Sequence, residues 1–390
     1  MIYNIFFWVL VFALFYLIAT TVILIRNRFE LTAIKNECSE TVNEPKISVC
    51  IPARNEENNI GILLQSLIHQ EYNNYDIHVL DDQSTDQTAA IVQSFVKLNS
   101  SVKLHTGLEK PPDWMGKPWA CHQLSEHTDG EYLLFLDADT IAESTLLSNI
   151  VTAFDRHEVQ MVTVWPRQIL LSFWEKSIIP LIYYSLVTLL PSIYTFRDPR
   201  WLPKFLKPYF KTSFAAACGQ CIAFERVSYQ NIGGHQSVKN KVIEDVELAK
   251  QVKHCGYRMR MFHGIGAISC RMYKNEKEML SGFRKNFFTG FNRSPLLFIG
   301  AAILHIAVFI IPFFTMIYSL ISLNTTFFFL STACISIILI HRLFLSIWFK
   351  WDPIFAFTHP IAVMWFQRLG IISLADHWSG KKSSWKGRNV

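Results

Sequence analysis

The sequence predicts an α/β chain: a Rossmann-like, mostly parallel sheet with helices on both faces, together with N-terminal and C-terminal transmembrane helices. Three observations carry this expectation. Apolar runs of strand length alternate with helical apolar patterns from residue 46 to residue 137, an uncharged apolar stretch opens the chain, and a second oily region fills its last quarter. Composition agrees, with 51% hydrophobic and only 17% charged residues and a mean hydropathy of +0.21. Ordinary globular chains carry about 25% charged residues. Disordered, collagen-like and disulfide-scaffold classes are excluded, and part of the chain is expected to meet lipid. The net charge of +6 suits an anionic membrane surface or a phosphate-bearing substrate and is too weak to argue for nucleic acid. Of the eight cysteines, Cys38, Cys50, Cys121, Cys255, Cys270 and Cys334 are scattered, as thiols in a reducing compartment would be.

The first element runs from Met1 to Ile25 without a charge, long enough at about 1.5 Å per residue to span a hydrocarbon core. Arg26 and Arg28 follow this run instead of preceding it, which favours an anchor over a cleaved leader and places residue 30 in the cytoplasm. Lys46 to Pro52, Ile77 to Asp81 and Tyr132 to Asp137 read as buried parallel strands. Between them, Ile60, Leu63, Leu64, Leu67 and Ile68 mark one helix, and Ala89, Ile91, Val92 and Phe95 mark another with Asp86 as its N-cap. Ile178 to Tyr194, broken by Pro180 and Pro191, is expected to lie on the surface as an interfacial helix.

Leu297 to Leu320 and Thr326 to Phe349 are candidate spans separated by Asn324 and Thr325. Pro353 to Leu374, interrupted by Pro353, His359, Pro360, Gln367 and Arg368, fits a re-entrant or interfacial helix pair. An even number of crossings, two or else four, keeps the basic residues Lys381, Lys382, Lys386 and Arg388 in the cytoplasm. The expected boundaries are an anchor at 1–28, a cytoplasmic domain at 44–292, membrane and interfacial helices at 295–376 and a basic tail at 377–390.

In doubly wound sheets, ligands sit at the carboxyl ends of the strands, so polar residues there carry most weight. Arg54 to Glu57, Asp81 with Asp82, and Asp137 with Asp139 all occupy such ends. No Gly-rich dinucleotide or P-loop motif accompanies them. If the strand persists, Asp137 and Asp139 project to one side, about 6–7 Å apart, where a divalent cation can bridge them to a phosphate; alternatively, Asp139 caps a helix beginning near Ala142. Asp81 and Asp82 offer acceptors to a base or ribose, or simply form a turn and cap. Glu244 and Asp245 precede a helical pattern, where acids favour the helix dipole or remove a proton from an acceptor hydroxyl. Cys218-Gly-Gln-Cys221 has redox-motif spacing but no further zinc ligands, and reads as structural.

In order, I-P-A-R-N-E-E (Ile51 to Glu57), L-D-D-Q-S-T-D-Q-T (Leu80 to Thr88), G-K-P-W-A (Gly116 to Ala120), L-D-A-D (Leu136 to Asp139), G-G-H (Gly233 to His235) and E-D (Glu244, Asp245) resemble the family 2, GT-A-fold glycosyltransferases. With the flanking spans and Trp385-Lys386-Gly387-Arg388, they look like the membrane enzymes of that family that glycosylate carotenoid or hopanoid-type lipids. The resemblance implies an inverting transfer of one sugar from a nucleotide-sugar donor to an apolar lipid acceptor, by a multi-pass plasma-membrane protein whose catalytic domain faces the cytoplasm. It implies that Pro52, Ala53, Arg54 and Glu56 line the nucleotide pocket, that Asp82 or Asp81 meets the base, and that Lys117 neighbours the pyrophosphate. Asp137 and Asp139 would hold Mg2+ or Mn2+, Asp245 would be the base, and Glu244, Gly234 and His235 would lie toward the acceptor. The Q-x-x-R-W signature of processive synthases is absent; Phe283-Arg284-Lys285-Asn286 occupies the comparable stretch, where Arg284 is a candidate phosphate contact. A polysaccharide synthase and a non-catalytic nucleotide-sugar-binding scaffold are the alternatives.

Overall fold

The computed structural model describes residues 2–35, 44–203, 205–291, 294–379, 384–385 and 388–389. Cys38 and the tail lysines Lys381, Lys382 and Lys386 lie outside the described residues, as do the side chains of Lys285, Asn286 and Arg388. Two compact units form: Glu30–Ile169 with Ser192–Met272, and Met1–Phe29 with Leu170–Pro191 and Tyr273–Val390.

The first unit is built on a sheet of strands β1 (Ile47–Ala53), β2 (Tyr75–Asp81), β3 (Val102–Thr106), β4 (Tyr132–Leu136), β6 (Met161–Trp165), β8 (Cys221–Glu225) and β9 (Met259–His263), in the order β3-β2-β1-β4-β8-β6-β9. Pairing is parallel except at β8, which runs antiparallel to both β4 and β6. The apolar runs become central strands because both sheet faces are covered. Val49, Ile51, Leu134 and Leu136 enter one core, while Cys50, Leu133, Phe135 and Ile222 enter the other, following the two-residue alternation of a strand. Helix Ile60–Leu67 buries Ile60, Leu63, Leu64 and Leu67 against the first core, each side chain contributing about 1.5–3 kcal/mol. A smaller sheet joins β5 (Thr140–Ala142), β7 (Arg167–Gln168) and β10 (Ile268–Cys270).

That smaller sheet corrects two expectations. The strand does not persist through Asp137-Ala138-Asp139; these residues turn between β4 and β5, with Thr140 donating its amide and hydroxyl to the Asp137 carbonyl. Nor does Asp139 cap a helix, because the pairing of β5 with β10 delays the next helix to Leu146–His157. Asp86 likewise sits one residue outside the cap position, which Gln87 occupies, and accepts the Thr88 amide at 3.0 Å.

The second unit is helical. Ile2–Glu30 forms one helix, and the segments Tyr3–Glu30, Pro295–Ser322 and Thr325–Trp348 are each long and apolar enough to cross a membrane. Asn324 caps the last of these, accepting the Phe327 amide at 3.0 Å. Pro295–Ser322 is interrupted at Ile310, which separates Pro295–Phe309 from Ile311–Ser322, because Pro312 has no N–H to donate. Helix Phe173–Leu189 does not lie on the surface as expected. It buries Ile178, Pro180, Tyr183, Tyr184 and Val187, and its end is held by Asn27, whose amide donates to the carbonyls of Val187 and Leu190 at 2.8 and 2.7 Å. Residues 353–378 form a short 3-10 turn, Pro353–Thr358, and one helix, His359–Trp378, instead of a helix pair. Pro353 and Pro360 fall in first turns, where a missing N–H costs nothing.

Candidate active site

The carboxyl ends of β1, β2 and β4 lie along one edge of the sheet, and the amino end of antiparallel β8 joins them through the pairing of Leu136 with Cys221. Asp81 and Asp82 leave β2 there, Arg54 follows β1, and Asp137 follows β4. Pro52 and Ala53 close β1 beside Leu80 and Asp81. The Arg54 guanidinium donates to the carbonyls of Asp82 and Gln83 at 2.5 and 3.1 Å.

The loops after β1 and β2 are laced together. Amides of Asn55, Glu56 and Glu57 donate to Ser84 Oγ, Thr88 Oγ1 and Asp86 Oδ2 at 3.0, 2.8 and 3.1 Å. In return, amides of Thr85 and Gln87 donate to Asn55 Oδ1 and Glu57 Oε2 at 2.8 and 3.1 Å. Asn55 and Gln83 adopt φ of 52° and 59°, a region non-glycine residues seldom enter. Asp81 spends one carboxylate oxygen on the Ser84 amide at 3.2 Å, the turn role, and the Glu56 carboxylate accepts from Asn59 at 2.8 Å.

Lys117 stands in the first turn of helix Gly116–Glu126 and its ammonium lies 2.6 Å from Asp137 Oδ1, 3.2 Å from Glu244 Oε1 and 3.2 Å from the Gly219 carbonyl. Burial opposes its charge, yet Asp137 and Glu244 outweigh burial and hold the ammonium well above the ordinary lysine value. Asp245, in the first turn of helix Glu244–His254, accepts the Gly219 amide at 2.8 Å and the Val246 amide at 2.8 Å. Burial, reinforced by the Glu244 charge and opposed by Lys117 and the two amides, pushes the Asp245 carboxyl up to about 6. A carboxylate of that basicity suits proton removal near neutral pH.

The turn Cys218-Gly-Gln-Cys221 acquires a role that sequence reasoning missed. Gly219 holds Asp245 through its amide, the Gln220 carbonyl accepts the Asp137 amide at 3.1 Å, and Gln220 is fixed by Gln168 at 3.1 Å and Cys270 at 3.0 Å. This one turn therefore sets the spacing between Asp137 and Asp245. A Cβ on Gly219 would lie 3.0 Å from Lys117 Nζ and 3.3 Å from Asp245 Oδ2, so the available signal was the glycine between the two cysteines.

Asp139 neighbours Cys270, whose thiol is raised well above its usual range by burial and then by that carboxylate. Among the described residues no group of three or more His, Cys, Asp or Glu is placed to hold a metal. Asp137 and Asp139 nevertheless fit a hard divalent cation. Both are oxygen donors on one turn, Asp137 already engages a cationic group, and Mg2+ typically takes only one or two protein carboxylates when substrate phosphates complete its shell.

Three expected residues lie elsewhere. His235 is 2% exposed, packed against Phe135 and hydrogen-bonded to the Tyr229 hydroxyl at 2.7 Å, with burial first and Lys117 second lowering its pKa to about 3. It is a neutral core histidine, and buried Gly234 is pressed against the Tyr229 ring. Both are enclosed in the core. Arg284 belongs to the helical unit, where its guanidinium engages both oxygens of Asp376, so a carboxylate occupies the fork that was expected to meet phosphate.

The sheet is mixed and mostly parallel, with acids and one lysine along one edge, and residues 48–189 match the model of glycosyl transferase family 2. The chain carries a family 2 glycosyltransferase domain of the GT-A fold. It is 27% identical over 273 residues to a 4,4'-diaponeurosporenoate glycosyltransferase of Staphylococcus haemolyticus, covering 68% of this chain and 66% of the relative. It is 26% identical over 252 residues to the protein of the same description in Staphylococcus aureus, covering 64% and 62%. The chain thus spans slightly less than two thirds of the length of these curated relatives. Its fold is similar to that of a mannosyltransferase from Pyrobaculum calidifontis solved with GDP-Man and Mn2+, with a TM-score of 0.55, 16% identity and coverage of 97% of this chain and all of the other.

Proposed function

We propose that the protein is an inverting glycosyltransferase that moves one sugar from a nucleotide-sugar donor, of UDP-glucose type, to a membrane lipid. The acceptor is an apolar lipid of the kind the staphylococcal relatives are named for, a carotenoid acid resembling 4,4'-diaponeurosporenoate. The observation that carries this reading is the convergence of Asp137, Lys117, Glu244 and Asp245 around one turn at the sheet edge. In this reading the chain is a multi-pass plasma-membrane protein with the sheet domain in the cytoplasm, the side that Arg26 and Arg28 mark.

Pro52, Ala53 and Arg54 border the nucleotide pocket, with Asp82 at its floor. Asp137 and Asp139 would hold Mg2+ or Mn2+, which when bound supplies charge neutralisation of the departing diphosphate. Lys117, bridging Asp137 and Glu244 in the structure, turns its ammonium to the same diphosphate. The acceptor oxygen attacks the anomeric carbon, the sugar–phosphate bond breaks, and the nucleoside diphosphate leaves with the electron pair. Asp245 receives the proton when the acceptor is a hydroxyl; a carboxylate acceptor, already ionised, forms an ester without that transfer.

Lipid extracts from cells with and without the gene, analysed by mass spectrometry, test the proposal. A single apolar species gaining one hexose mass supports it, and a ladder of hexose additions would instead reveal a polymer synthase. Purified protein that binds UDP-sugar and turns over no lipid would leave the scaffold reading.

A further inference from the structure

Inside the helical unit lies a polar nest that the transfer reaction does not use. Arg342, on helix Thr325–Trp348, is 1% exposed. Its Nη2 donates to the carbonyls of Phe355 and Ser177 at 3.2 and 3.4 Å, while Nε and Nη1 are buried without a hydrogen-bond partner among the described residues. No carboxylate there lies within ion-pair distance of it. Among the described residues, both ring nitrogens of fully buried His359 and the Ser177 hydroxyl have no hydrogen-bond partner. Tyr184 ties the nest together: its hydroxyl meets His341 Nδ1 at 3.1 Å and its ring lies 5.6 Å from that of His359.

A buried cation without a counter-charge costs several kcal/mol, and ionisable groups within membrane helices mark ligand paths by default. A second feature points the same way. Helix Pro295–Phe309 stops beside the nest, and Phe309, its last residue, sets its ring 5.2 Å from His359 and 5.7 Å from Tyr184. Interrupted membrane helices are tolerated where they line a cavity or pathway. Arg342 is six residues, about 9 Å, from the end of its helix. At that end Trp348 lies under the Arg28 guanidinium at 5.4 Å, so the nest lies in the half of the helix that carries this cationic end.

We propose that Arg342, with His359 and the Ser177 hydroxyl, forms a binding site for the anionic oxygen head of an apolar amphiphile, admitted past Phe309 at the helix break. The free Nε and Nη1 donors supply charge-assisted hydrogen bonds to the head, and the surrounding apolar helices receive the tail. The site is read from the helical unit alone and stands or falls independently of the sugar-transfer reading.

The test uses the full-length chain in neutral phosphatidylcholine nanodiscs, titrated with oleate and with methyl oleate and read by native mass spectrometry. Oleate is expected to occupy one site at least about tenfold more tightly than its ester, a difference of about 1.4 kcal/mol. Arg342→Gln is expected to erase that preference; Arg342→Lys, which keeps the charge and changes the donor geometry, should weaken it, and serves if the glutamine variant fails to fold. Phosphatidylglycerol that displaces oleate identifies the ligand as a phospholipid head, and failure to displace it identifies a lipid carboxylate. Equal binding of oleate and ester, undiminished oleate binding in a folded Arg342 variant, or a nest filled by water alone would overturn the proposal.

Discussion

The sheet unit and the helical unit treat buried charge differently. In the sheet unit buried charges are matched by opposites at two places: Lys117 lies between Asp137 and Glu244 at the site, and Asp76, 6% exposed at the amino end of β2, is met by Lys46, Lys103 and His78 at 3.0, 3.2 and 3.1 Å. In the helical unit Arg342 has carbonyl dipoles in place of a carboxylate. The lesson is that the desolvation penalty of a buried ion is offset within the first unit and left outstanding in the second.

Disturbing the matched charges should have the largest effect. Asp139→Asn keeps the volume and removes an anionic ligand, so metal-dependent turnover should fall about 10³-fold, the upper range for losing one preorganised electrostatic group; unchanged turnover across a Mn2+ titration would remove the ligand role. Asp245→Asn should slow transfer to a hydroxyl acceptor by at least about 10²-fold with donor affinity intact. The wild-type rate should rise with pH through about 6, as Asp245 loses its proton, and level off above; that limb should vanish in the variant. The sign for stability is opposite. Because the folded carboxyl is raised above its ordinary 3.8, its ionisation costs stability above about pH 6 and nothing below pH 4, so the variant should melt higher at pH 8 and no higher at pH 4.

His235→Phe should lower stability by about 1–3 kcal/mol by stranding the Tyr229 hydroxyl, with acceptor KM unchanged; a raised KM would return the residue to the acceptor side. Gly219→Ala, whose Cβ would crowd Lys117 and Asp245, should reduce turnover about tenfold, or about 1.4 kcal/mol, without loss of thermal stability. The mildest contrast compares the units directly. Arg342→Met should raise stability by on the order of 1 kcal/mol, as replacement of uncompensated buried charge does, while Lys117→Met should lower it. Gains or losses of the same sign in both would dissolve the distinction.

Much of this was legible in the sequence because it is local. Apolar runs ending in Arg54, Asp82 and Asp137 announced strands and a shared edge, and the uncharged opening announced its helix. What escaped depended on distant pairing. Nothing near Asp139 reveals that residues 268–270 will pair with 140–142 and turn the chain away from a helix. Nothing near His235 shows that Tyr229 and Phe135 will enclose it. Pro180 and Pro191 suggested a peripheral helix at 178–194, but the carbonyls after Tyr184 find Asn27, some 160 positions earlier. The turn from Cys218 to Cys221 was read as structural, and it is, but nothing in its sequence shows that its backbone positions Asp137 and Asp245.

The lacing of the loops after β1 and β2 has a consequence for motion. Because the amides of Asn55, Glu56 and Glu57 are held by side chains of the opposite loop, and those of Thr85 and Gln87 by side chains of the first, neither loop can swing out while the other stays closed. Their five amide protons should share one degree of protection from deuterium exchange, as a clasp that opens all at once, and a nucleotide seated between β1 and β2 should slow all five together.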